Sequence, residues 1–167
     1  MRMMIFLALG MALGLAAATP PMSLTSPAFK GGGTIPRSFT CDGADRSPAL
    51  DWTGVPAGAR SLVLICDDPD APVGNWVHWV LYGLPASAKG LSEGGAVEGA
   101  VLGKNSWGRN AYGGPCPPPG KPHRYFFRLY ALDAPLALTS GADKAQVEAA
   151  MKGHVLAMAE LMGTYGR

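Results

Sequence analysis

The sequence predicts a mainly β, antiparallel protein. Three observations carry that reading. Residues 62–66 are five consecutive apolar residues ending in carboxylates, the pattern of a central strand covered on both faces. Residues 75–82 (NWVHWVLY) and 124–132 (RYFFRLYAL) are rich in β-branched and aromatic side chains, which favour strands. Only one short segment has a convincing helical pattern, while 23 Gly and 15 Pro supply turns without the period of a fibrous repeat.

In chain order, residues 1–18 (MRMMIFLALGMALGLAAA) place one basic residue before an apolar run that closes on Ala16-x-Ala18. That is the layout of a secretory signal peptide, and the run is shorter than the roughly 20 residues needed to span a bilayer. No Cys follows it, so the usual bacterial lipid-attachment site is missing. The expected mature chain starts near Thr19, forms a single domain over 19–167, keeps no membrane span and is exported, as a periplasmic or secreted protein. Residues 22–26 alternate weakly and suggest a first strand, 30–34 (KGGGT) a loop, and 49–52 a short strand after Pro48. Residues 61–67 and 75–82 are strong strands flanking the proline-containing loop 68–74. Residues 83–122 read as loops with at most short strands, and 124–132 as the third strong strand. A helix is expected over about 142–152, with Ser140 as its cap and Asp143 three residues on, and Gly153 as its stop. Residues 154–165 stay ambiguous, because Ala, Leu, Met and Glu favour helix but glycines bracket the segment.

Composition narrows the function. A net charge of +2 without a Lys/Arg cluster argues against nucleic-acid binding and against a polybasic membrane patch. At 48% apolar residues, one sizeable core can form without metal staples. Three Cys leave at least one unpaired within the chain. Cys66 lies in an apolar run and reads as a buried thiol. Cys41 and Cys116 sit in Gly/Pro/Asp-rich loops and are the favoured pair if a bond forms. No CxxC is present, so the spacing is not a zinc pattern.

Three segments hold the polar chemistry. Asp67-Asp68-Pro69-Asp70-Ala71-Pro72 puts carboxylates at the end of the most apolar strand, where an unpaired charge is costly. In Trp76-Val77-His78-Trp79, strand alternation places Trp76, His78, Val80 and Tyr82 on one face. The proline loop 114–122 feeds His123 and Tyr125 to one side of the third strand. Together they suggest a pocket: Asp68 and Asp70 orient the imidazoles of His78 and His123, these and the Tyr125 hydroxyl receive an anion, and Trp76 and the prolines form walls.

These segments resemble the phosphatidylethanolamine-binding protein family, and within it the bacterial Raf-kinase-inhibitor-like branch. DPDAP at 68–72, the His78 segment and GGPCPPPGKPHRY at 113–125 carry the resemblance. CDGADRSPAL at 41–50 and GHVLAMAELMGTYGR at 153–167 extend it over essentially the whole mature chain. It implies an antiparallel β-sandwich-like fold with a large central sheet, a smaller sheet and a few short helices. It makes residues 154–165 a strand and the Ala71–Pro72 bond cis. It also implies an anion pocket built from Asp68, Asp70, Pro72, Trp76, His78, Pro117, His123 and Tyr125, taking a phosphate-type small anion or a phospholipid head group. The chain lacks the long C-terminal helix of the animal members, and an exported protein does not meet cytosolic kinases. The leading expectation is therefore a binding protein with no cofactor and no bound metal, without catalysis, since no nucleophile sits beside a base. Cys116, with a proline on either side, does not suit a catalytic thiol. Two alternatives come from other classes: an interaction or inhibitor module for an unidentified protein partner such as a protease or host factor, and a metal-assisted hydrolase using Asp68, Asp70, His78 and His123.

Overall fold

The computed structural model describes residues 20–95 and 98–167. The expected signal segment and its cleavage site lie outside the described residues. The fold is mainly β and antiparallel, in two sheets. Strands β1 (Ser23–Thr25), β2 (Leu50–Thr53) and β5 (Gly90–Leu91) form a small sheet in the order β1-β2-β5. The larger sheet runs β6-β4-β3-β7-β8, from β3 (Ser61–Asp68), β4 (Trp76–Pro85), β6 (Val101–Leu102), β7 (His123–Leu132) and β8 (Val155–Tyr165). The ambiguous tail is thus a strand, paired along β7 from His123–Tyr165 to Leu132–Val155. Tertiary pairing overrides the helix propensity of its Ala, Leu and Met.

Every residue of β3 is buried, as its unbroken apolar run requires. Its side chains still alternate. Leu62, Leu64 and Cys66 join Tyr125, Phe127 and Leu129 of β7 and Trp52 of β2 in the core between the sheets. Val63 and Ile65 face the other way, into a second cluster under α1 (Lys144–Met151) with Val147 and Met151. The same alternation separates the two carboxylates at the strand end. Asp67 turns to the helix side, where Arg128, Lys144 and Asn75 donate to it. Asp68 turns to the opposite side, towards His123.

Two sequence expectations need correcting here. Helix α1 is capped by Asp143, not Ser140: the Asp143 carboxylate accepts from the Gln146 N–H at 2.9 Å, and the Gln146 side chain accepts from the Asp143 N–H at 3.0 Å. The box lies one turn later than expected because residues 140–143 are held against β6, with Gly141 N–H donating to the Leu102 carbonyl. The Ala71–Pro72 bond is trans, as is every described peptide bond. The loop reverses instead through a turn in which Gly74 N–H donates to the Ala71 carbonyl at 3.0 Å, with Gly74 at a positive φ of 97°.

Cys41 and Cys116 form a disulfide with Cα atoms 5.4 Å apart, and Cys66 is a buried free thiol. No helix among the described residues is long and apolar enough to cross a membrane.

Candidate functional site

A cavity of about 210 Å³ opens at the end of the large sheet where β3 stops, β4 starts and β7 begins. Asp68, Pro72, Trp76, His78, Pro117 and His123 line it. Six of the eight residues expected from the sequence therefore meet at one place. The other two do not line it.

His123, at the first position of β7, donates from Nδ1 to Asp68 Oδ2 at 2.7 Å. The second oxygen of Asp68 accepts the backbone N–H of Asp70 at 2.8 Å. Both carboxylate oxygens are thus engaged, and the charge of this buried group is met by two donors. The His123 Nε2 remains available to a ligand.

His78 reaches the cavity by a route that alternation does not predict. Along β3 and β4, Cys66 pairs with Trp79 but Asp67 pairs with Val77, so His78 is the extra residue of a β-bulge. Val77 and Val80 consequently pack on the helix side, whereas Trp79 and Leu81 enter the core between the sheets. His78 stands against Tyr125, ring centroids 5.1 Å apart and nearly perpendicular. The expected grouping of His78 with Val80 and Tyr82 on one face is broken by this inserted residue. His78 Nδ1 lies 2.7 Å from the Gly113 carbonyl, to which it donates. Burial pushes the His78 pKa below its ordinary value, against the opposing pull of that hydrogen bond and of the Asp68 and Asp67 charges. Its neutral form therefore presents an unprotonated Nε2.

Two expected roles differ in the structure. Asp70 does not orient an imidazole. It sits in the fork of Arg124, accepting from the guanidinium Nε at 2.9 Å and Nη2 at 2.7 Å and from the Arg124 backbone N–H at 2.9 Å. Those hydrogen bonds hold its pKa down at about 2. Its part is to fasten the 68–74 loop to the start of β7. Tyr125 is fully buried behind His78, and its hydroxyl has no partner among the described residues. Burial raises its pKa, with Asp68 and Cys66 adding to the effect. It supports the His78 ring from behind, and does not face the cavity.

Trp107 is a wall that the sequence reading missed. Its ring lies edge-on to Trp76 at 5.3 Å and to His78 at 5.1 Å. Asn105 builds the loop that presents it: its side-chain oxygen accepts from the N–H groups of Trp107 and Arg109, both at 3.0 Å, and its amide donates to the Ala111 carbonyl. Ser106 ties this loop to β4 through two bonds with the Val77 backbone. Gly113 lets the ring lie close, since a Cβ there would come within 2.6 Å of the Trp107 ring. The available signal was a tryptophan inside a polar, glycine-containing loop, an unusual place for a large apolar side chain.

The hydrolase alternative is not favoured by this arrangement, because Asp70 is committed to Arg124. Among the described residues no three His, Cys, Asp or Glu side chains converge as a metal site.

The model of the family described as phosphatidylethanolamine-binding protein matches residues 25–166. A UPF0098 protein of Methanothermobacter thermautotrophicus is 52% identical over 151 residues, covering 87% of this chain and 99% of that one. The crystal structure of a phosphatidylethanolamine-binding protein homologue from Chlamydia trachomatis superposes with a TM-score of 0.84 at 45% identity, covering 88% of this chain and 98% of its own. YbcL of E. coli, described as a member of the mammalian family, gives 0.83 at 32% identity, with 89% and 99% covered. On the sequence match and the shared fold alike, this chain belongs to the phosphatidylethanolamine-binding protein family.

Proposed function

We propose that the protein is a non-catalytic binding protein whose cavity takes a small phosphate-type anion, free or as a phospholipid head group. The observation that carries this is the His123–Asp68 pair beside the buried His78 in a cavity of about 210 Å³. That volume suits a phosphate with few further atoms and is below the range typical of drug-sized ligands. A carboxylate in an anion site is a difficulty only if an oxygen faces the ligand. Here both Asp68 oxygens are engaged by His123 and by the Asp70 N–H.

The two imidazoles ask for different things. His123 donates to the ligand when protonated, with Asp68 as its counter-charge. His78, held neutral by burial and donating from Nδ1 to Gly113, can only accept at Nε2. The ligand that fits both presents one negatively charged oxygen and one O–H, as a singly protonated phosphate does. Phosphate monoesters lose that proton near pH 6. Affinity is therefore expected to fall as pH rises through about 6 and the ligand loses the O–H that His78 accepts.

Calorimetric titration with inorganic phosphate and phosphorylethanolamine across about pH 5.5–8 tests this. His123→Ala is expected to weaken binding by about 1.5–3 kcal/mol, roughly ten- to a hundredfold. Binding that is flat with pH and indifferent to His123→Ala would remove the anion pocket and leave a surface-mediated protein interaction as the better reading. Preference for phosphorylethanolamine over phosphate would favour the head group as the natural source.

Export belongs to the same proposal. The apolar run ending at Ala16-x-Ala18 supports it, and the Cys41–Cys116 bond suits an oxidising compartment. Sequencing the N-terminus of protein from the native host is expected to start near Thr19, and a start at Met1 would refute it.

A further inference from the structure

The ring proton of His78 is held by one peptide unit that is itself held from its far side. The Gly113 carbonyl accepts from His78 Nδ1 at 2.7 Å. The N–H of the same peptide, that of Gly114, donates to Asp45 Oδ1 at 2.7 Å. In a trans peptide these two groups point in opposite directions. The result is an unbroken run from carboxylate through N–H and C=O to the ring N–H.

The peptides on either side have anchors of their own. Gly113 N–H donates to the His78 carbonyl at 3.0 Å, and the Pro115 carbonyl accepts from Cys41 N–H at 3.1 Å. The peptide between them is not fixed by the chain itself. Both residues beside it are glycines, so its rotation meets no Cβ. Packing demands those glycines: a Cβ at 113 would come within 2.6 Å of the Trp107 ring, and one at 114 within 2.4 Å of the Phe39 carbonyl oxygen. An outside group must therefore choose which way the Gly113 carbonyl points, and Asp45 is placed to do so. Its backbone sits at a positive φ of 54°, alone among the described non-glycine residues. Glycine would adopt that conformation freely; aspartate tolerates it better than most residues and adds a side chain that reaches the peptide.

The direction of that carbonyl has a chemical consequence. Neutral imidazole carries one ring proton, and the hydrogen bond made by one nitrogen decides which nitrogen holds it. With the Gly113 carbonyl facing Nδ1, the proton sits there and Nε2 is an acceptor. With the carbonyl turned away, an Nε2–H would meet the O–H of the ligand as donor against donor.

We propose that Asp45 is a positioning residue: through the Gly113–Gly114 peptide it fixes the Nδ1–H tautomer of His78, and with it the acceptor at Nε2. Its effect on binding rests on the anion reading of the cavity, whereas the tautomer is a property of the free protein.

Long-range nitrogen-15 NMR of the imidazole rings tests this on the full chain at about pH 8, above the ordinary histidine pKa. The chain has three histidines, so the signals are assigned with single His→Gln variants. In the unsubstituted protein His78 is expected as the Nδ1–H tautomer. Asp45→Gly removes the carboxylate while easing the backbone, and should move His78 to a mixture of tautomers. Affinity for inorganic phosphate, measured separately at about pH 6 where the ligand keeps an O–H, should fall about tenfold, the scale of one lost hydrogen bond. Asp45→Asn keeps a side-chain oxygen acceptor and should restore both. An Nε2–H tautomer in the unsubstituted protein, or an unchanged His78 spectrum in Asp45→Gly, overturns the proposal. So does an Asp45→Asn protein that behaves like Asp45→Gly, since the hydrogen bond to Gly114 would then not be what matters. Should Asp45→Gly not fold, Asp45→Ala is read in its place; loss of the fold in both makes Asp45 a structural residue and overturns the proposal as well. If the unsubstituted protein binds no phosphate, the anion reading fails on its own, and the free-protein spectra still decide for or against Asp45.

Discussion

Breaking the Cys41–Cys116 bond should cost this protein a large part of its stability. The bond joins residues 75 apart in sequence. Treating the link as a restraint on the unfolded chain, a loop of that size is worth about 4.5 kcal/mol at 25 °C. Domains of this kind have total stabilities of roughly 5–15 kcal/mol. With a urea dependence of about 2 kcal/mol per molar, the midpoint should fall by roughly 2 M on reduction. The assay is urea denaturation followed by tryptophan fluorescence, with and without reductant, alongside the double variant Cys41→Ser/Cys116→Ser. Thiol titration in denaturant should count one free cysteine before reduction and three after, since Cys66 is free. Reduced protein and double variant should agree. If thiol counting shows the bond gone while the urea midpoint stays in place, the loop-restraint reasoning is wrong. Cys116 and Pro117 also line the phosphate cavity, so phosphate binding should weaken in the reduced protein at urea concentrations where it is still folded.

Further expectations concern single groups. Gly113→Ala forces a Cβ to 2.6 Å from the Trp107 ring; the ring should shift, costing about 1–3 kcal/mol in thermal or urea unfolding and changing tryptophan fluorescence. Leu129→Ala removes a fully buried side chain from the core between the sheets and should cost about 2–5 kcal/mol by urea unfolding, more than any exposed change on β8. Burial holds the His78 pKa below its ordinary 6.5, so the unfolded chain takes up that proton first. Stability should be unaffected by this group above about pH 6.5 and should fall as pH drops towards its lowered native value; His78→Gln, followed by urea midpoints over pH 5–7, should flatten that stretch. Asp70, held at about 2 by Arg124, should give a separate acid loss between about pH 3.8 and 2, absent in Asp70→Asn.

Much of the frame could be read from residue patterns. The apolar run of β3 and the aromatic alternation of β7 survive as strands because their side chains pack on both sides of the large sheet. The meeting of Asp68 with His123 was likewise visible, since alternation sends His123 and Tyr125 the same way. What stayed hidden depends on contacts between distant segments. Nothing local in Asp70 says that it will choose Arg124 over an imidazole; the register of β7 against the 68–74 loop decides that. Trp107 is 29 residues from His78 in sequence and reaches it only because Asn105 and Ser106 pin its loop to β4. The helix cap was misplaced by three residues because Ser140 and Asp143 are both good capping side chains. The choice between them was made by β6, against which the residues before the helix rest.

The bulge in β4 makes the length of the segment, rather than its residue types, the carrier of the site. Substitutions along 76–79 leave the count intact and keep position 78 turned to the cavity. Deleting one residue there would restore regular pairing with β3, and the hydrophobic composition of the strand would hardly change. Yet His78 itself would be lost, or would leave the bulge for a regular paired position opposite Asp67 or Cys66. Such a protein could fold with a more regular sheet and lose the cavity's imidazole altogether. In comparisons between relatives, a gap at this point should therefore weigh more than several substitutions. A chain that keeps every polar residue of the cavity but drops one position in this strand should be counted as having given the site up.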